Sequence, residues 1–193
     1  MNVLDAFLQR YDPLYAFYIG TVWKSIPEAL MRQRPYPQVN SIAWNVWHLT
    51  RVEDAGLNLF VGERSQVFDE DNWMQRLNLP WRHQGSGMTF PEVDELNQQI
   101  NLQGLHDYSD AVHARTLEIV AQFDPDRLGD LMGEERLRVI LVEKGLAHSN
   151  PDALINTYLG WPKSKCLLNF GATHPFLHIG EIDVIASLLG IQF

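Results

Sequence analysis

The chain has 193 residues, 46% hydrophobic and 20% charged, with a net charge of −9. Fifteen Lys and Arg face 24 Asp and Glu without any basic cluster, which argues against a phosphate-backbone partner such as nucleic acid. The one cysteine, Cys166, rules out an internal disulfide and suits a reducing cytoplasm.

In chain order, Asp12-Pro13 predicts a helix start, an acid at the cap followed by proline, and the helical pattern runs through Trp23. S-I-P-E-A-L (25–30) marks a break, and R-Q-R-P-Y-P-Q-V-N (32–40) a connector. Ser41 caps a second helix to about Val61, closed by Gly62. At 100° per residue, Trp44, His48, Val52, Ala55 and Leu59 share one narrow arc with His48 at its centre, pointing into the core. Ile42, Leu49 and Phe60 form a second apolar arc, so this helix is covered on two sides. Arg51, Glu53, Asp54 and Asn58 lie outside the arc of His48.

Residues 63 to about 102 are long for a plain connection. Thr89 and Glu92 predict a capping box and a short helix from 90 to about 100. A third long helix follows from about Leu102 to Phe123, with shorter ones at 134–146 and 151–159. A last helix is predicted from about Thr173 to Leu189, stopping at Gly190. Strand alternation and internal repeats are missing. The expected fold is all-α: one domain over 1–193, a four-helix bundle with long crossover connections and extra short helices. Its length suffices for an unstapled core, since such a chain buries about 70% of its unfolded surface.

The N-terminal residues lack a basic stretch followed by an apolar one, and no run of about 18 apolar residues exists. Neither a signal peptide nor a membrane span is expected, and the location is read as cytoplasmic.

The chemistry concentrates in T-H-P-F-L-H-I-G-E-I-D-V (173–184). His174 and His178 stack one helical turn apart, the spacing of a pair of metal ligands. A third ligand must come from elsewhere, and His48 alone sits at the centre of a core-facing stripe. Each of the three lies near the predicted N-terminal end of its helix, so the second and fourth helices are expected to run parallel. Their N-termini would add positive potential at the site. Three imidazoles leave an open coordination position, as in catalytic sites. Glu181, on the face of His178, is positioned to hydrogen-bond a ligand ring or a bound water.

Other groups carry blander readings. His106, Asp110 and His113 share a helix flank and read as an exposed polar stripe. His83 reads as loop surface, and His148 as a helix-end residue. Cys166 has Lys163 and Lys165 upstream but no base beside it. No E-x-x-H occurs, which removes a di-iron carboxylate site. The six tryptophans fill a core or line a pocket.

The stretches S-I-A-W-N-V-W-H-L (41–49), G-S-G-M-T-F-P-E-V (85–93) and H-P-F-L-H-I-G-E-I (174–182) resemble the DinB/YfiT-like superfamily of four-helix-bundle metalloproteins. The resemblance implies a metal held by His48, His174 and His178, and it spans nearly the whole chain. Some members depend on thiols, among them maleylpyruvate isomerase acting with mycothiol, and bacillithiol transferases. It therefore implies a divalent metal, zinc or nickel, that activates a low-molecular-weight thiol or water, with thiol S-transfer to a small-molecule substrate as the leading expectation. A metal-dependent hydrolase and a non-catalytic, metal-stabilised binding or stress-linked protein are the alternatives. Homodimerisation through an exposed helix face is compatible with the pattern.

Overall fold

The computed structural model describes residues 2–192, and of Phe17 and Tyr18 the backbone only. Four long helical runs make the bundle. The first comprises Val3–Pro13, a π-helical turn Leu14–Ile19 and Gly20–Ser25. The second joins Ile42–Ala55 to a π-helical Gly56–Gly62, and the third is Leu102–Gln122. The fourth is Lys163–Leu168, a π-helical Asn169–Thr173 and His174–Leu188. The all-α bundle expected from the sequence is the fold observed in the described residues. None of the described helices is long and apolar enough to cross a membrane.

Several predicted boundaries hold for the predicted reason. Ser41 Oγ accepts the N–H of Trp44 at 3.0 Å and opens the second helix. Glu92 accepts the N–H and hydroxyl of Thr89, at 2.7 and 2.8 Å, at the start of Phe90–Gln99.

Two helix starts differ from expectation. The first helix begins ten residues before Asp12-Pro13, because Asn2 and Asp5 form their own capping box and Pro13 is carried inside the helix. The fourth begins at Lys163, ten residues before the predicted Thr173. Gly171 there is no stop signal. A Cβ at that position would lie 2.6 Å from the Phe7 ring, so the glycine admits the first helix instead. The π-helical turn also precedes Pro175, which has no N–H to give to Gly171.

The longer fourth helix overturns the parallel arrangement expected for helices two and four. Asn45 meets His178, His48 meets His174, and Gly56 meets Phe170, so the two run antiparallel. Their approach at Gly56 is close: a Cβ there would stand 2.3 Å from the Phe170 ring. Helices two and three are parallel, since Thr50 meets Ser109 and Glu53 meets Thr116. Two parallel neighbours require a crossover, and residues 63–101 provide it.

The second helix is buried along its whole length, charged residues included. Arg51 and Asp54, outside the predicted arc, pair at 3.3 Å with both side chains fully enclosed. Tyr108, Gln66 and the carbonyl of Arg82 accept from the two terminal guanidinium nitrogens, while the amides of Val67 and Phe68 donate to the carboxylate. This network anchors the crossover to the bundle. Glu53, by contrast, is buried with hydroxyl donors from Tyr11 and Thr116.

Candidate metal centre

His48, His174 and His178 converge. One ring nitrogen from each lies within 4.8 Å of the others, a group that could hold a divalent metal ion. Ring centroids are 5.0 Å apart for His48–His174, 4.7 Å for His48–His178 and 4.5 Å for His174–His178. His48 projects from the second turn of its helix, whereas His174 and His178 lie midway along the long fourth helix. The positive potential expected from that helix's N-terminus is therefore not at the cluster.

Two of the rings have their outer nitrogen fixed. His48 Nδ1 donates to the carbonyl of Gln84. His178 Nδ1 donates to Asn45 Oδ1 at 2.8 Å and to Glu181 Oε2 at 2.9 Å. Asn45 is itself oriented, because its Nδ2 donates to the carbonyl of Ser41 at 3.0 Å. Since these acceptors carry no proton to share, both rings keep theirs on Nδ1, which leaves Nε2 with a free lone pair. His174 differs: its Nδ1 is buried and has no protein partner. A buried unpaired polar atom costs about 1–3 kcal/mol.

The electrostatics favour neutral rings at His48 and His174. Burial, then the neighbouring His178, pushes His48 down to about 4. Burial, then His48 and His178, pushes His174 down to about 3. Glu181 is lowered chiefly by its hydrogen bond from His178 and stays a carboxylate. Imidazoles beside one carboxylate are a donor set that borderline divalent cations accept. The orphaned nitrogen and the free lone pairs thus fit a metal.

Trp44 stacks on His48 at 4.6 Å and walls one side of the site. A cavity of about 660 Å³ opens at the rim, lined by Gln38, Val39, Asn40, Leu177, His178, Gly180, Glu181, Val184 and Ile185. It borders His178 and Glu181 rather than His48, so it approaches the cluster from the fourth helix.

The remaining candidates lie elsewhere. His106 stacks on Trp23 at 4.7 Å, His113 on Tyr15 at 3.8 Å, and Asp110 accepts from Tyr15 at 2.7 Å. The two histidines are half-buried against aromatic residues of the first helix, while Asp110 is exposed as expected of the stripe. Among the described residues the only three-membered group able to share a metal is the one containing His48. His83 is half-buried, not surface, and its ring lies 4.4 Å from that of His148. His148 sits in the loop just before the Asn150 cap of Pro151–Tyr158, with Nε2 3.3 Å from Glu92 in the first turn of Phe90–Gln99, so it is not at a helix C-terminus. Cys166 is buried, and burial pushes its thiol up to about 11, so it is no ready nucleophile.

Sequence reasoning missed Asn45 and the Gln84 carbonyl. Asn45 had a signal, being a polar residue in the apolar turn S-I-A-W-N-V-W-H. A backbone acceptor has none of its own; only Gly85 next to it hints at a special conformation.

Comparison with known proteins agrees with this architecture. A conserved protein from Enterococcus faecalis, known from its crystal structure, superposes with a TM-score of 0.73 over 98% of this chain and 99% of its own, at 18% identity. At that identity the likeness speaks for the fold. No curated protein is significantly similar in sequence. The sequence profile of the DinB superfamily matches residues 20–182, including all three histidines, and the chain belongs to that superfamily.

Proposed function

We propose that the protein is a metal-dependent enzyme in which His48, His174 and His178 hold one divalent ion, zinc or nickel, beside a cavity for a small-molecule electrophile. The observation that carries this reading is the convergence of one ring nitrogen from each of the three histidines within 4.8 Å, with Nδ1 of His174 buried and unpartnered. When bound, the ion would supply Lewis acidity, lowering the pKa of a low-molecular-weight thiol or of water toward neutrality. Thiol S-transfer is the favoured reaction because thiol-dependent members are found among the proteins this chain resembles; hydrolysis is the alternative.

The chain's own residues divide the remaining work. Asn45 and Glu181 hold the Nδ1 proton of His178, and the Gln84 carbonyl holds that of His48. These contacts keep both Nε2 atoms free and the rings fixed. Glu181 is the candidate proton acceptor, since it is ionised, lines the cavity and touches a ligand ring. Val39, Leu177, Val184 and Ile185 give the cavity an apolar wall, and Gln38 and Asn40 give it polar groups for orienting a substrate.

The test is turnover by zinc- or nickel-loaded protein supplied with small thiols and electrophiles, compared with Glu181→Gln. Proton transfer by a positioned side chain contributes about 10²–10⁴-fold. The variant should therefore lose at least about a hundredfold in kcat/KM while still binding one metal. Turnover equal in the two proteins would remove Glu181 from the mechanism. No turnover in either, with a large loss of melting temperature on chelation, would leave a cation that only pins two helices together.

A further inference from the structure

The peptide unit between Gln84 and Gly85 is hydrogen-bonded at both ends to a histidine. Its carbonyl accepts the Nδ1 proton of His48. Its N–H donates to Nδ1 of His83 at 3.1 Å. A peptide is planar, so its two ends cannot turn independently, and the ring that accepts at one end governs the ring that donates at the other.

The unit needs an unusual backbone. Gly85 has φ +90°, and a Cβ there would lie 2.5 Å from the Trp47 ring. Its surroundings are tied down: Gln84 N–H donates to the carbonyl of Leu146 at 3.4 Å, and Arg82 Nε to that of Lys144 at 3.0 Å. A glycine on one side makes reversal of this one peptide inexpensive, because glycine tolerates φ of either sign. Reversal would aim the N–H at His48. The ring would then have to accept on Nδ1 and carry its proton on Nε2, the atom a metal needs.

His83 opposes that reversal. Its Nδ1 accepts, so the neutral ring bears its proton on Nε2. Burial, and then the nearby His148, push its pKa down to about 4, which preserves the lone pair at neutral pH.

We propose that His83 is a positioning residue for the metal centre: by accepting from Gly85 it fixes the peptide whose carbonyl sets the ring and tautomer of His48. Its functional meaning rests on metal ligation by His48, but the tautomer can be read without any metal.

The experiment uses metal-free full-length protein with ¹⁵N-labelled histidine, read by long-range ¹H–¹⁵N correlation, followed by zinc titration of the same samples. In the wild type His48 should carry its proton on Nδ1 and His83 on Nε2. His83→Phe, and His83→Ala without the bulk, should shift His48 toward the Nε2–H form. They should also weaken zinc binding by about tenfold, the lower end of what partners of ligand histidines contribute. His83→Asn, whose amide oxygen can replace Nδ1 as acceptor, should restore both. A folded His83→Ala or His83→Phe protein with the His48 signals and zinc affinity of the wild type would overturn the proposal. If His48 responds to His83 while the wild type binds no zinc, the positioning role stands and the metal reading fails.

Discussion

The amide oxygen of Asn45 and Nδ1 of His178 meet at 2.8 Å, joining the first turn of the second bundle helix to the middle of the fourth. The contact records the antiparallel course of the two helices and fixes a candidate ligand ring at once. Asn45→Ala leaves His178 with Glu181 as its one fixed partner. Zinc affinity, measured by competition with a chelator, should fall about tenfold. The free protein should lose about 1 kcal/mol from the missing hydrogen bonds.

His174 is expected to trade stability for ligation. Its Nδ1 is buried without a partner, so an apolar side chain of similar volume removes an unpaired polar group. His174→Leu should abolish stoichiometric metal binding. In denaturant titration without metal it should be about 1–2 kcal/mol more stable than the wild type. A less stable metal-free variant would mean that the ring already has a satisfied role.

The metal-free protein should weaken in mild acid. His48 and His174 titrate near 4 and 3 in the folded chain, below the usual 6.5. Between those values the unfolded chain binds more protons, so stability rises with pH and is lost as pH falls from about 6.5 toward 4. Each ring contributes a slope of up to about 1.4 kcal/mol per pH unit. Saturating zinc should shift the loss to lower pH, because protons then compete with the metal. Chemical denaturation at a series of pH values, with and without zinc, measures both.

Glu53 should act in the opposite direction. Burial pushes this carboxyl up from 4.5 to about 7, and its oxygen already accepts from Tyr11 and Thr116. Its folded pKa is raised, so its contribution is complete below about 4.5 and is lost as pH rises through about 7. Glu53→Gln keeps the acceptor oxygen and removes the ionisation. At pH 8.5 the variant should be more stable by about 2–3 kcal/mol, with little difference at pH 4.5. Urea midpoints at the two pH values decide it.

The sequence disclosed the all-α bundle and the histidine set for one reason. Core-facing periodicity places His48 on an apolar stripe, and i,i+4 spacing places His174 and His178 together, whatever the directions of their helices. The direction itself was hidden. The predicted start at Thr173 leaves out ten helical residues, since the π-helical turn carries the helix through Gly171, where Phe7 packs. The burial of Arg51, Glu53 and Asp54, outside the arc of His48, was also hidden, because their partners come from distant segments, such as Tyr108 and Gln66 for Arg51, that no local pattern predicts. The role of residues 63–101 was equally hidden: the carbonyl of Gln84 acts on His48, and any residue type has a carbonyl.

Metal stoichiometry in tag-free protein tests the central claim most directly. Reconstituted wild type should bind one equivalent of zinc or nickel, and His48→Ala, His174→Ala and His178→Ala should each fall well below one. Absence of binding by the wild type, or a full equivalent retained after His174→Ala, would contradict the assignment of these three rings to a single cation.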